Sequence, residues 1–133
     1  MDAAQGVARP QVLCVRDFHK LKVWDKAHLV TLDVYRATKG FPREELYGLT
    51  SQIRRAAASV CANVAEGCGR RGGLEFARFL DIALGSASEL EYHLLLAADL
   101  QLLDRETHTR LNSAVVQVKR IMAGLLRTLR ADR

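Results

Sequence analysis

Both prolines of this 133-residue chain, Pro10 and Pro42, lie in its first third, and none occurs from Arg43 to Arg133. Proline removes a backbone donor and clashes with the preceding helical turn. Its absence therefore leaves most of the chain open to long, unbroken helices. The apolar residues recur at the three- and four-residue spacing of a helix. Trp24, Ala27, Thr31, Val34 and Thr38 predict a first helix over 23–38, with Gly40 suited to cap its C-terminus. Pro42 suits a first helical position, with Glu44 and Glu45 at the positive end of a helix dipole, so a short turn precedes Gly48. A second helix is expected over 49–66, ending at Gly67 or Gly69. A third, the longest, is expected over 74–101, after Gly72 and Gly73. A fourth follows an N-cap at Asp104 and reaches Leu129. Connections this short favour antiparallel neighbours. The expected fold is all-α, an antiparallel up-and-down four-helix bundle over 18–133. Residues 1–17 lack periodicity and read as a flexible N-terminal arm, and 16–22 read as a short extended lead-in.

The length fits one domain, and a domain near this size buries roughly two-thirds of the surface its unfolded chain exposes. It can hold a core without staples. Cys14, Cys61 and Cys68 are odd in number and form no C-x-x-C pair, which argues against a disulfide framework or a zinc site. Buried reduced thiols are the plain reading. No stretch reaches the ~18 apolar residues of a membrane span, and the start lacks a secretory pattern, so a cytosolic location is the default. The net charge of +5 is uneven: residues 105–133 carry seven basic and two acidic groups, whereas residues 23–104 carry nine and eleven. A basic C-terminal region points to an anionic partner.

The second helix carries an unusual polar strip. At about 100° per residue, Gln52, Arg55, Ser59, Asn63 and Glu66 fall within about 80° of one another, amid alanine, valine and isoleucine. They are either the one solvated strip of a mostly buried helix or a polar seam facing another helix. Ser86, Glu89 and His93 share a strip on the third helix, and Arg55 with Glu89 and Asn63 with Ser86 make sensible pairs. Such a seam fixes helix register. If buried, Arg55 or Asn63 would cost roughly 1–3 kcal/mol to replace.

Two further surfaces stand out. Leu94, Leu95 and Leu96 span about 200° of the third helix. Its apolar residues therefore either serve two faces, one needing a partner, or include some tolerated exposed leucines. On the fourth helix, Leu111, Ala114, Val118, Ile121, Leu125 and Leu129 predict the inward stripe. Lys119, Arg120, Arg127 and Arg130 gather on an adjacent arc about 100° wide. The arc is either solvated surface or a site for nucleic-acid phosphate, with Arg70 and Arg71 in the glycine turn as reserve candidates.

Signs of catalysis are lacking. No histidine has a glutamate three residues before it, as a di-iron bundle needs. GCGRRGG lacks the Lys-Ser/Thr of a phosphate loop. Glu66 and Glu89 stand without a nucleophile motif. The sequence implies no cofactor, no metal and no enzyme.

FPREELYGLTSQIRRAAASVCANVAEGCGR and EFARFLDIALGSASELEYHL, with the lead-in DFHKLKVWDKA, together resemble the signature stretches of the four-helix bundle family also called the 23S rRNA-intervening-sequence protein family. The resemblance covers about residues 17–130. It implies a small four-helix bundle in which Gln52, Arg55, Ser59, Asn63, Glu66, Gly67, Ser86 and Glu89 hold structural motif positions. A related bundle, the accessory protein of diversity-generating retroelements, forms a pentameric ring and binds nucleic acid and a reverse transcriptase. By resemblance the expected partners are further copies of this chain, with five subunits the best guess, then RNA or DNA, or a protein partner such as a reverse transcriptase. Gly72 departs from the family pattern, where serine or threonine is common.

Overall fold

The computed structural model describes residues 16–131. Four helices run α1 Lys22–Thr38, α2 Leu49–Cys68, α3 Gly73–Asp99 and α4 Arg105–Ala131, with 3-10 turns at Phe18–Lys20 and Arg43–Glu45. Most of the expected arm, with Pro10 and Cys14, lies outside the described residues.

Each helix packs on its neighbours in the chain, and α1 also packs on α4, so the four close into an antiparallel ring around one core. The α2–α3 interface is the most extensive. Small residues contribute: Gly67 of α2 is buried against Phe76 and Phe79 of α3, and Ala56, Ala83 and Ala87 are buried in the core. Small residues let two backbones approach closely. Ile53, Val60, Leu80, Leu90, Leu94, Leu111 and Met122 fill the volume between the helices.

Local chemistry explains the helix ends. Asp104 caps α4 by accepting the Thr107 N–H at 2.7 Å, and that bond holds its carboxyl below the usual carboxylate range. α3 stops at Asp99, short of the expected Gln101, because Gln101 turns into the left-handed region at φ 65°. Its N–H reaches Ala98 O at 2.9 Å and the Leu102 N–H reaches Ala97 O at 2.8 Å. This is a Schellman closure, with glutamine where glycine is usual. Gly40 does not cap α1; Lys39 takes that place in right-handed conformation. Gly72, just before α3, sits at φ 82° and ψ 155°. A serine there would supply a cap but strain the backbone, so the family departure at Gly72 has a conformational reason.

The lead-in is not extended. Asp17 accepts the His19 N–H at 3.1 Å and starts the 3-10 turn. The Arg16 N–H donates to Cys68 O at 2.8 Å, and Phe18, Leu21 and Trp24 pack against the core. The segment thus closes the end of the bundle where α2 finishes.

The inward faces of α1 and α4 are rotated from those expected. On α4 the buried residues are Leu111, Val115, Val118, Met122 and Leu126. Ala114, Ile121, Leu125 and Leu129 are half-buried and only flank the core. On α1 the buried residues are Val23, Ala27, Val30, Val34 and Thr38, with Trp24 and Thr31 half-buried. Arg110 of α4 forks onto Asp33 of α1 at 2.9 and 3.0 Å. That hydrogen-bonded pair lowers the Asp33 carboxyl pKa. Among the described residues no helix is long and apolar enough to cross a membrane.

Candidate nucleic-acid interface

The polar strip of α2 faces α3. Arg55 pairs with Glu89 and also donates to Gln52 Oε1 at 3.0 Å. The Ser59 and Ser86 hydroxyls meet at 2.8 Å. Asn63 does not reach Ser86 as expected: its amide donates one turn back, to Ser59 O at 2.9 Å and Ser59 Oγ at 3.1 Å. Ser59 is the shorter reach across the gap and takes the pairing. Glu66 accepts from Arg70 at 2.8 Å along the surface. Burial pushes the Glu89 carboxyl up, but hydrogen bonds from His93 and Arg55 and the Arg55 charge outweigh it and hold it low.

The seam is therefore real but wet. Arg55 is 53% exposed and Glu89 37%, so the pair is screened and worth little. We expect Arg55→Ala to cost below about 1 kcal/mol, less than full burial would imply. Asn63→Leu should cost about 1 kcal/mol, since it removes hydrogen bonds made in a half-buried setting. Urea midpoints of the two variants check the order, and a larger loss in Arg55→Ala would contradict it.

The basic arc of α4 meets acids that its own sequence does not show. Lys119 donates to Glu91 Oε1 at 2.7 Å, and Arg130 pairs with Asp81, both acids on α3. Two of the four cations are thus partly neutralised. Arg120 and Arg127 are exposed and make no ion pair among the described residues. Arg120 and Lys119 border a shallow groove of about 420 Å³ floored by Leu84, Val116 and Ala123. In the α2–α3 turn, Arg70 is engaged with Glu66 and lies 4.9 Å from the Phe79 ring, while Arg71 is exposed. The up-and-down order brings this turn and the C-terminus of α4 to the same end of the bundle. Among the described residues, the cations of the candidate surface without an ion pair are Arg120, Arg127 and Arg71.

The outer strip of α3 is mixed rather than a continuous apolar face. Leu94 is buried, Leu96 half-buried and Leu95 46% exposed. Leu74, Ile82, Tyr92 and Leu95 share its outer side with Asp81, Gly85, Ser88 and Asp99, all exposed. The sequence reading missed a second exposed apolar group on α1: Leu29, Leu32 and Tyr35. Their three-residue spacing was the available signal.

Burial pushes the thiols of Cys61 and Cys68 up, consistent with inert structural cysteines. Among the described residues no three His, Cys, Asp or Glu side chains converge as metal ligands would.

The sequence profile of the 23S rRNA-intervening sequence protein family matches residues 19–124. The chain belongs to that family. A protein of unknown function from the S23 ribosomal protein family of Bacteroides thetaiotaomicron has a similar crystal structure, with a TM-score of 0.73 over 79% of this chain and 95% of that one. The two are 24% identical, so this likeness speaks to the fold alone. No curated protein matches the chain. The seam residues Gln52, Arg55, Ser59, Asn63, Ser86 and Glu89 all fall inside the matched span. So do Arg70, Arg71, Lys119 and Arg120, whereas Arg127 and Arg130 lie beyond it.

Proposed function

We propose that this family member is a non-catalytic, self-associating bundle that binds the phosphates of nucleic acid through Arg120 and Arg127, with Arg71 at the same end. The observation that carries the reading is the exposure of Arg120 and Arg127 without an acidic partner among the described residues, on an arc of α4 whose two other cations, Lys119 and Arg130, are tied to α3. A cation already paired has less to offer a phosphate. Self-association would repeat the arginines around a ring, and each neutralised phosphate releases counterions, so affinity would rise with every copy. Five copies is our best guess.

Binding should show little sequence preference, because no side chain is arranged to read base edges. Titration of mixed-sequence RNA and duplex DNA at ~50 mM salt tests this. Changing Arg120 and Arg127 together to glutamine should weaken binding and flatten the salt slope by about one unit per lost contact. Lys119→Gln should matter less, since Lys119 is held by Glu91. Light scattering of the same preparations should give several times the 14.8 kDa chain mass. No binding at that salt would leave the second reading, a homo-oligomeric scaffold for a protein partner. The exposed Leu29, Leu32 and Tyr35 of α1 favour that alternative.

A further inference from the structure

At the opposite end of the bundle, where α1 passes into α2, lies an open cavity of about 630 Å³. Its lining among the described residues includes Lys39, Arg43, Arg54, Thr50, Phe41 and Tyr47, and no carboxylate. We infer that this cavity binds a nucleoside monophosphate unit, with the three cations on the phosphate and the aromatic rings on the base.

Four observations converge. The first is charge. Lys39 and Arg43 are exposed and make no ion pair among the described residues. Of the two acids in the turn, Glu44 is exposed and does not line the cavity, and Glu45 is occupied: its Oε1 accepts the Leu49 N–H at 3.1 Å and so caps α2. A phosphate monoester carries about −1.5 to −2 at neutral pH, which a cluster of three cations suits.

The second is pre-organisation. Arg54 donates from Nε to the Thr38 hydroxyl at 2.8 Å and from Nη2 to Tyr35 O at 3.3 Å. Its guanidinium also lies 4.6 Å from the Tyr35 ring centroid. The plane is thus fixed, and Nη1 is left without a protein partner among the described residues. An arginine held this way loses little freedom when it meets an anion.

The third is an orphan. Thr50 lines the cavity, is only 5% exposed, and its hydroxyl has no hydrogen-bond partner among the described residues. A buried polar group left unpaired costs about 1–3 kcal/mol, so it calls for an explanation. The Thr50 oxygen is sealed from solvent in this conformation, so a ligand oxygen supplies one only by displacing a lining side chain. The fourth is size and stacking surface. The volume falls within the roughly 300–1,000 Å³ of small-molecule sites and exceeds what a bare phosphate needs. Tyr47 is 92% exposed, at the mouth of a cationic cavity, where an aromatic face can stack a base.

This site deepens the nucleic-acid reading if the unit is the end of a strand, yet it stands on different residues. Calorimetric titration of the full chain at ~50 mM salt, with AMP, inorganic phosphate and adenosine at up to about 1 mM, tests it. AMP should bind at least about tenfold more tightly than phosphate, and adenosine should not bind. Lys39→Gln with Arg43→Gln should weaken AMP at least about tenfold; both residues are exposed, so the fold is spared. Tyr47→Ala should bring AMP down to the level of phosphate. Thr50→Val should weaken AMP while leaving the thermal midpoint unchanged or higher, because a methyl replaces an unpaired hydroxyl. Arg120→Gln with Arg127→Gln should leave AMP binding intact, so failure of the α4 surface and failure of this cavity are separable. Competition by a 5′-phosphorylated oligonucleotide, and not by its 5′-hydroxyl form, assigns the site to strand ends; competition by neither assigns it to free nucleotide. Absence of binding by both AMP and phosphate, or AMP binding indifferent to the Lys39 and Arg43 changes, overturns the inference.

Discussion

Truncating Phe76 to alanine should lower the unfolding free energy by about 3–5 kcal/mol. Phe76 is 2% exposed and belongs to the central core. It sits at the start of α3, where α2 finishes and the lead-in closes the bundle end. The Arg16 guanidinium lies 4.2 Å from its ring centroid, and its ring edge faces Gly67 of α2. Removing the ring empties a site bounded by three segments, and none can collapse into it without breaking its own helix or turn. Domains of this size are stable by only about 5–15 kcal/mol, so the variant should be marginal at 37 °C. Urea unfolding followed by circular dichroism at 222 nm gives the value directly. A loss below about 1 kcal/mol would mean that the lead-in and the α2–α3 turn do not depend on this ring.

The second large effect is expected at Gly67, through crowding rather than a void. A Cβ at Gly67 would lie 2.9 Å from the Phe79 Cβ and 3.1 Å from the Phe76 Cδ1. The Phe76 ring could turn aside, but the Phe79 Cβ is fixed to its backbone, so α2 and α3 must move apart. Gly67→Ala should therefore cost about 1–3 kcal/mol, although alanine is the better helix former by about 1 kcal/mol. Gly85→Ala is the control. Nothing lies within 4 Å of a Cβ built there, and the exposed helical site should gain from the change. If both variants shift the urea midpoint upward, the tight α2–α3 contact is not what holds glycine at position 67.

These two residues also show how far the sequence carries. Gly67 is legible as a helix-ending glycine by composition and by family position, but the fold gives it another role. α2 continues to Cys68, and Gly67 is a buried contact point with no left-handed backbone. A glycine required for close approach and a glycine required for a turn look identical in a sequence. The seam behaves similarly. The 3.6-residue period places Gln52, Arg55, Ser59, Asn63 and Glu66 on one strip, and chemical complementarity nominates Glu89 and Ser86. Whether that strip is wet depends on how far α2 is turned about its own axis. That angle follows from packing, and it leaves Arg55 more than half exposed.

The candidate binding surfaces were the least legible part. Four cations on one arc of α4 are visible in the sequence, because an arc is a property of one helix. Their partial neutralisation is a property of two. Glu91 and Asp81 reach Lys119 and Arg130 only in the register at which α3 and α4 pack. The cluster of Lys39, Arg43, Arg54 and Thr50 had no sequence signal, since it joins a helix end, a turn and two sites in the next helix.

The sequence by itself determined that this chain forms four helices, where they lie to within a few residues, and their up-and-down order. Those properties rest on local chemistry: spacing of apolar residues, the Asp104 cap, the glycine turn and the absence of proline after Pro42. Only the tertiary structure decided which edge of each apolar stripe turns inward. It placed Val115, Met122 and Leu126 at the core of α4 and left Ala114, Ile121 and Leu125 at its flank. Neighbouring stripe positions differ by only tens of degrees on a helix wheel. Close packing of the helix against its two neighbours, α3 and α1, is what selects between them, because filling the core without voids allows one rotation and excludes the adjacent ones.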